Sequence, residues 1–481
     1  MREHTATKNH DRRAFRGQIL TLLSTAVSRL VCIAPYNGSP RVDHASTPPN
    51  ATMPASLIAS TWPLLLGMGV LMLGAGLQST LLGVRAQTEG FTTSAIGFVM
   101  SCYYAGFLIG TVIAPRLIRG VGHVRVFSAF AAVAAASTLC QAVLVMPSVW
   151  AVTRLITGVC FAGIYVVAES WLNDRATQET RSRLLALYMV VLYGGMGAAQ
   201  FLLLVADTSS DTPFMLVAAL ICLAIVPLVL SAHSVPVVDT PQSVRFRDLY
   251  RRSPLGVFAV IMSGLMASIV FSLGPVYAQQ SGMDAAEIAT FMAGSILAGV
   301  VTQYPIGMLA DRLDRRSVIA GVALLAAGFA LWVGAWPAMP DLLVLPVAAI
   351  VSGLVLSVYS LGVSHVNDRL ETSEMVAASS ALLLLNGAAA VLGPIIGGVL
   401  MDQSGENAYF ITLGCLAVVL AVFCLWRRSR RAPVPREQRG PYIKAQPETT
   451  AVTEESQFWD PTHPRGGNHA APSQNSQGLS G

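Results

Sequence analysis

Apolar residues arrive in long blocks along this chain, and polar residues collect in the short gaps between them. Residues 57–84, 212–231, 255–283 and 317–340 contain no Asp, Glu, Lys or Arg. An apolar stretch of about eighteen residues or more is long enough to cross a bilayer as a helix. The same pattern along the whole chain predicts spans one to twelve at 57–84, 91–114, 126–146, 148–171, 183–206, 212–231, 255–278, 287–310, 317–336, 342–366, 376–401 and 407–426. The connections are short and turn-rich: MPSV at 147–150, DTSSDT at 207–212, PAMPD at 337–341 and DQSGEN at 402–407. In hydrocarbon a helix satisfies its own backbone, so an all-α integral membrane fold with twelve transmembrane helices is expected.

Charge then orients the spans. Alternate loops hold the basic residues: Arg116, Arg119 and Arg125; Arg175, Arg181 and Arg183; Arg245, Arg247, Arg251 and Arg252; Arg312, Arg315 and Arg316; and Arg369. On the opposite loops only Arg85 is basic, and acids such as Asp207, Asp211, Asp284, Asp341 and Asp402 take over. Basic loops stay cytoplasmic. The pattern therefore predicts a multi-pass membrane protein with both termini cytoplasmic. An omitted or invented span would invert every later loop.

Residues 232–254 are the longest internal connection, and they separate six spans from six. The two sets are related. Tyr165, Ser170, Asn173, Asp174 and Arg175 near the end of span four recur at one offset, 194 residues on, as Tyr359, Ser364, Asn367, Asp368 and Arg369 near the end of span ten. A parallel internal repeat is the expected cause. The organisation expected is an extension at 1–52, a six-helix half at 53–231, a cytoplasmic linker at 232–254, a second half at 255–426 and a basic, disordered cytoplasmic tail at 427–481. The extension reads as an addition from an upstream start before Met53, as a disordered tail, or as a faint twin-arginine signal.

Composition closes off other classes. Hydrophobic residues make up 53% of the chain and charged residues 12%, against roughly 25% charged in soluble domains. The seven cysteines show no CxxC spacing, so neither a metal site nor a disulfide frame is expected. The net charge of +5 follows the loops, which gives no reason to expect nucleic acid as a partner. Motifs for nucleotide binding or hydrolysis are missing from the sequence, so no cofactor and no enzyme activity are expected.

The strongest motif is Gly307-MLA-Asp311-Arg312-LD-Arg315-Arg316, between spans eight and nine. It resembles the G-x-L-A-D-R-x-G-R-[KR] loop of the major facilitator superfamily, with Asp314 where that family usually has Gly. The resemblance covers about residues 57–426 and is nearest the bacterial drug- and sugar-transporter-like members. It implies two pseudo-symmetric six-helix bundles, and a conformational latch formed by Gly307, Asp311, Arg312, Arg315 and Arg316. The alternative is that DRLDRR only anchors its loop. The matching loop after span two has Ala114 where the family has Asp, so a charge relay there is in doubt. Arg154-LIT-Gly158 in span four resembles the family's R-x-x-x-G element, whose Arg has been proposed to help proton transfer. Arg154 could instead snorkel outward.

Ionisable groups inside a membrane are functional candidates by default. Glu169 reads equally as a coupling carboxylate or as an interfacial acid balancing Arg175 or Arg183. His365 reads as a coupling group or as a helix-end histidine. The Asn-Asp-Arg triplets read more readily as polar helix ends than as ligand contacts. Gln78, Tyr165, Gln200, Gln303, Tyr359 and Asn386 could touch a solute or bond helix to helix. The resemblance also implies that spans one, four, seven and ten line a central cavity.

The function expected is a secondary transporter, a monomer in the lipid bilayer, that moves a neutral or amphipathic small-molecule substrate by alternating access. The coupling ion expected is H+. A transport-inactive membrane sensor or scaffold, or a passive facilitator, is the alternative.

Overall fold

The computed structural model describes residues 55–177, 180–231, 246–336, 339–370 and 372–430, all within the unit Met53–Gly481. The expected extension at 1–52 and all but the first residues of the expected tail lie outside them. Among the described residues there is no strand. Within them twelve helices are long and apolar enough to cross a membrane: Thr61–Thr88, Thr93–Val121, His123–Val143, Pro147–Arg175, Arg183–Leu204, Thr212–Leu230, Pro254–Gln280, Ala285–Arg312, Arg315–Gly334, Leu342–Asn367, Ala377–Ser404 and Ala408–Arg430. They are spans one to twelve below. An even number of crossings brings the start of span one and the end of span twelve to one face, called here the termini face. The opposite side is the far face.

Several boundaries differ from the sequence pattern, each for a local reason. Span two was expected to stop at residue 114, before Pro115. It runs through that proline to Val121, as membrane helices can when neighbours satisfy the freed backbone groups. It stops at Gly122, whose φ of 91° favours glycine and whose N–H closes on the Ile118 carbonyl at 2.8 Å. Span six is two helical pieces, Thr212–Leu223 and Ile225–Ser231, interrupted at Ala224. Pro227 lies just beyond and lacks the N–H that would bond the Leu223 carbonyl. The end of the expected linker is itself helical, Phe246–Arg252, with Leu249 fully buried and Phe246 and Tyr250 exposed. Span twelve carries on to Arg430, into the expected tail.

Small residues set the closest helix pairs. Span two packs along span four through Gly106 and Gly110. A Cβ on Gly106 would lie 2.0 Å from the Leu155 carbonyl oxygen, and one on Gly110 would lie 2.6 Å from that of Val159. Backbone-to-backbone packing of this kind substitutes for the hydrophobic drive that lipid does not supply. Spans seven and four are the most enclosed, with 89% and 78% of their windows buried, against 39% for spans two, five and six. The central helices therefore have neighbours on every side, and the peripheral ones expose an apolar face to lipid.

Candidate functional site

Where the two bundles meet, spans two, seven and eleven enclose a cavity of about 60 Å³ at mid-depth, enough for a few water molecules. Span two contributes Tyr103, Tyr104 and Phe107, and span seven contributes Ser268 and Phe271. Asn386 comes from span eleven. The lining contains no Asp, Glu, Lys, Arg or His. Its polar groups are partly spent: Asn386 Nδ2 donates to the Val260 carbonyl at 3.0 Å, and the Ser268 hydroxyl donates to Leu265 O at 3.0 Å. The aromatic side is continuous with the first bundle, where Tyr103 and Tyr104 meet edge to face with centroids 5.5 Å apart, and Phe107 lies 6.0 Å from Tyr165.

Behind this wall sits Arg154, 6% exposed. Its guanidinium lies 4.3 Å above the Tyr103 ring. Among the described residues it forms no ion pair, so the ring face is its visible compensation. Further along span four, Glu169 is fully buried, with Tyr188 of span five within electrostatic reach. Tyr165 is buried too and donates to the Met72 sulfur at 3.4 Å.

The bundles are closed against each other at the far face. The Ser94 hydroxyl donates to Asp402 Oδ2 at 2.6 Å, and Thr93 N–H donates to Oδ1 at 3.2 Å. Gln280 Nε2 reaches Gln87 Oε1 at 3.2 Å and Thr93 Oγ1 at 3.0 Å. Beneath these bonds span two crosses span eleven backbone to backbone. A Cβ on Gly97 would lie 2.1 Å from the Pro394 carbonyl oxygen, and one on Gly398 would lie 2.6 Å from that of Thr93.

At the termini face the loop motif is gathered into one cluster with a different centre from the one expected. Arg315, 2% exposed, donates through Nη1 to the Ser364 carbonyl and to Asp368 Oδ1, both at 2.6 Å. Asp311 stands farther off, 3.8 Å from Arg315 Nη2, and its side chain is half exposed. Asp314 accepts from the Arg316 backbone N–H at 3.3 Å, capping span nine, and pairs with the Arg316 guanidinium at 3.0 Å. His365 is buried within electrostatic reach of Arg369, Arg316, Asp314 and Arg315. Gly307 is buried on span eight, and Arg312 is exposed. Sequence reading passed over Asp368 as a partner, although the shared Asn-Asp-Arg triplet marked it.

The remaining candidates spread out. Gln78 donates to Thr138 Oγ1 at 2.8 Å and to Gln141 Oε1 at 3.2 Å, and Gln141 donates onward to Thr153 at 3.0 Å. Gln200 accepts from Thr80 and donates to the Met196 carbonyl, joining span five to span one. Tyr359 is enclosed with Leu249, Val257 and Val363. Gln303 is buried on span eight. Of the six cavity candidates only Asn386 lies in the lining described above. Of the four spans that the resemblance assigned to a cavity, span seven alone lines this one. Spans two and eleven take the other places, with Tyr103, Tyr104 and Phe107 as residues that sequence reading missed. Their i, i+1 and i+4 spacing was visible but reads as ordinary membrane-helix packing.

Comparison with known proteins gives the arrangement its family. The Major Facilitator Superfamily model matches residues 64–300 and 256–463. The chain belongs to the Major Facilitator Superfamily. An uncharacterized MFS-type transporter of Enterobacter sp. (strain 638) is 30% identical over 377 residues, 77% of this chain and 96% of that protein. The uncharacterized MFS-type transporter YcaD of Salmonella heidelberg (strain SL476) is 29% identical over 376 residues, with the same shares. Among solved structures, the nucleoside transporter NupG aligns with TM-score 0.66 at 16% identity, over 76% of this chain and 98% of its own. A bacterial homolog of the human lysosomal transporter Spinster, inward-facing and occupied, aligns with TM-score 0.65 at 14% identity, over 82% and 100%. At such identities these two share the fold. As a superfamily member the chain is a multi-pass membrane transporter with two six-helix bundles.

Proposed function

We propose that this superfamily member is a secondary transporter that moves an uncharged or amphipathic, aromatic-bearing organic solute by alternating access, coupled to protons. The observation that carries this reading is the cavity between spans two, seven and eleven. It lies at the junction of the bundles and is shut from the far face by the Gly97–Pro394 crossing and the Asp402 hydrogen bonds. A site at mid-depth between repeats, open to one side at a time as the bundles rock, is how such folds carry solutes. The arginine distribution supports a cytoplasmic termini face, which makes this conformation closed to the outside of a bacterial inner membrane.

The lining also selects. Four aromatic rings and no charged side chain would leave an ionic solute stripped of water and unpaired, which is costly. A ring system stacks favourably there. Coupling is assigned to Glu169, a fully buried carboxylate on the span that also carries Arg154, because intramembrane acids mark proton pathways. Arg154 on the Tyr103 ring keeps a positive charge against the cavity wall.

The test is proton movement into proteoliposomes bearing the purified protein, with panels of neutral aromatic and of charged compounds added outside. Neutral aromatic compounds collapsing an imposed proton gradient, with the response lost in Glu169→Gln, is the expected result. Collapse that survives Glu169→Gln removes that carboxylate as carrier. Solute uptake without proton movement makes the chain a passive facilitator. Binding and uptake confined to charged compounds overturn the assignment of substrate class.

A further inference from the structure

The loop after span two lacks the family's Asp, and by sequence the first bundle has lost its latch. The geometry shows a substitute. Ser170 and Ser364 occupy matching positions of the internal repeat, and so do Asp174 and Asp368. In the second bundle the group that reaches this pair is Arg315, the first residue of its helix. In the first bundle His123, also the first residue of its helix, reaches the serine of the pair. His123 is 1% exposed. Its Nε2 lies 3.1 Å from Ser170 Oγ, and Asp174 is within electrostatic reach. Among the described residues its Nδ1 has no hydrogen-bond partner. Of the arginines in the same loop, Arg119 turns back onto the Pro115 carbonyl.

We infer that His123 is the positioning residue that fastens the termini-face end of span four to span three, the counterpart of Arg315, with a grip that depends on whether the imidazole carries a proton. Neutral imidazole offers one donor and one acceptor, whereas the protonated ring donates from both nitrogens and carries a charge. A charge-assisted bond is roughly twice as strong as a neutral one. Arginine stays charged at every physiological pH and holds the second bundle constantly. Histidine is the side chain that switches near neutral pH.

The charged groups around the ring are of both signs. Span four brings Asp174, Arg175 and, one residue before Ser170, the buried Glu169. Span two brings Arg116 and Arg119, and span three itself carries Arg125. Span six, which also packs on span three, brings no Asp, Glu, His, Lys or Arg. Burial works against a charged ring, and the Asp174 carboxylate works for it. Asp174 is exposed, whereas Asp368 is only 3% exposed at its side chain. The first clamp is therefore the looser of two, and the one that pH can tighten. What it holds is the helix carrying Arg154, Tyr165 and Glu169. The inference stands on the repeat geometry and needs neither an identified solute nor proton coupling.

Hydrogen–deuterium exchange on the full-length protein in lipid nanodiscs tests it, at about pH 5 and about pH 8 with rates corrected for intrinsic exchange. In the wild type the amides of residues 169–175 are expected to exchange about tenfold more slowly at the acid pH, the worth of one charge-assisted hydrogen bond. His123→Arg should be slow at both pH values and His123→Gln fast at both. Residues 364–368, held by Arg315, should show no pH effect in any variant. Should His123→Gln fail to fold, Ser170→Ala removes the partner instead and should also exchange fast at both. A wild type indifferent to pH, a pH effect retained in His123→Arg, or an equal effect at 364–368 would overturn the inference.

Discussion

Closure at the far face rests on a glycine contact whose removal can be sized. In Gly97→Ala the new Cβ would stand 2.1 Å from the Pro394 carbonyl oxygen, where ordinary contact begins at 3.4 Å. It would also stand 3.3 Å from the Cα of Gly398. Both obstacles are backbone, so no side chain can swing aside and the two helices must part. Overpacking of this kind costs about 1–3 kcal/mol. The cost falls on the closed far face and not on a conformation in which spans two and eleven have separated there. The equilibrium should therefore move toward far-face opening by about 5- to 150-fold. Thr111→Cys, in a background without the native cysteines, places one thiol in the cavity lining. Its labelling by a membrane-impermeant reagent applied from the far face is expected to speed up at least about fivefold in Gly97→Ala. Gly120→Ala is the matched control, because a Cβ at Gly120 on the same span meets nothing within 4 Å among the described residues. Labelling of the Gly97 and Gly120 variants at equal rates would refute the claim that this crossing closes the far face.

Asp368→Asn leaves the buried Arg315 without its 2.6 Å partner and should lower stability by about 3–5 kcal/mol, read as a marked drop in Tm of the detergent-solubilised protein. Asp311→Asn, at a half-exposed carboxylate 3.8 Å away, should cost no more than about 1 kcal/mol; equal losses in the two variants would show that Asp368 is not the principal partner. Gln78→Leu removes both donors that bind Thr138 and Gln141, leaving a buried amide oxygen unsatisfied at about 1–3 kcal/mol. An unchanged Tm would mean that Gln141 finds another donor.

Some of the site could be read directly and some could not. Asn386 was a candidate from its place in an apolar run, and it does line the cavity. Gln78 and Gln200 had the same signature and are spent between helices instead. A lone amide in an apolar helix carries no mark of whether its partner is another helix or a solute. The latch motif was legible as residue types, but its ion pair was not. Local spacing suggests Asp311, one turn before Arg315, whereas the shorter and drier contact is to Asp368 at the end of the next helix, span ten. Ala114 announced a missing latch in the first bundle, yet His123 reaches the equivalent serine from a different position in the loop.

By itself the sequence determined the number of crossings, the internal repeat, the family and the residue types at the ends of its helices. Each of these follows from composition over a local window or from the chain's similarity to itself. Only the tertiary structure decided that spans two, seven and eleven form the cavity, that aromatic rings line it, and that Gly97 and Pro394 shut it. It also decided that an arginine in one bundle answers to a histidine in the other. Apolar burial is set residue by residue, so a pattern along the chain can report it. A hydrogen bond or a backbone contact between helices distant in sequence depends on rotation and depth, and a one-residue turn of about 100° removes it without changing the apolar pattern.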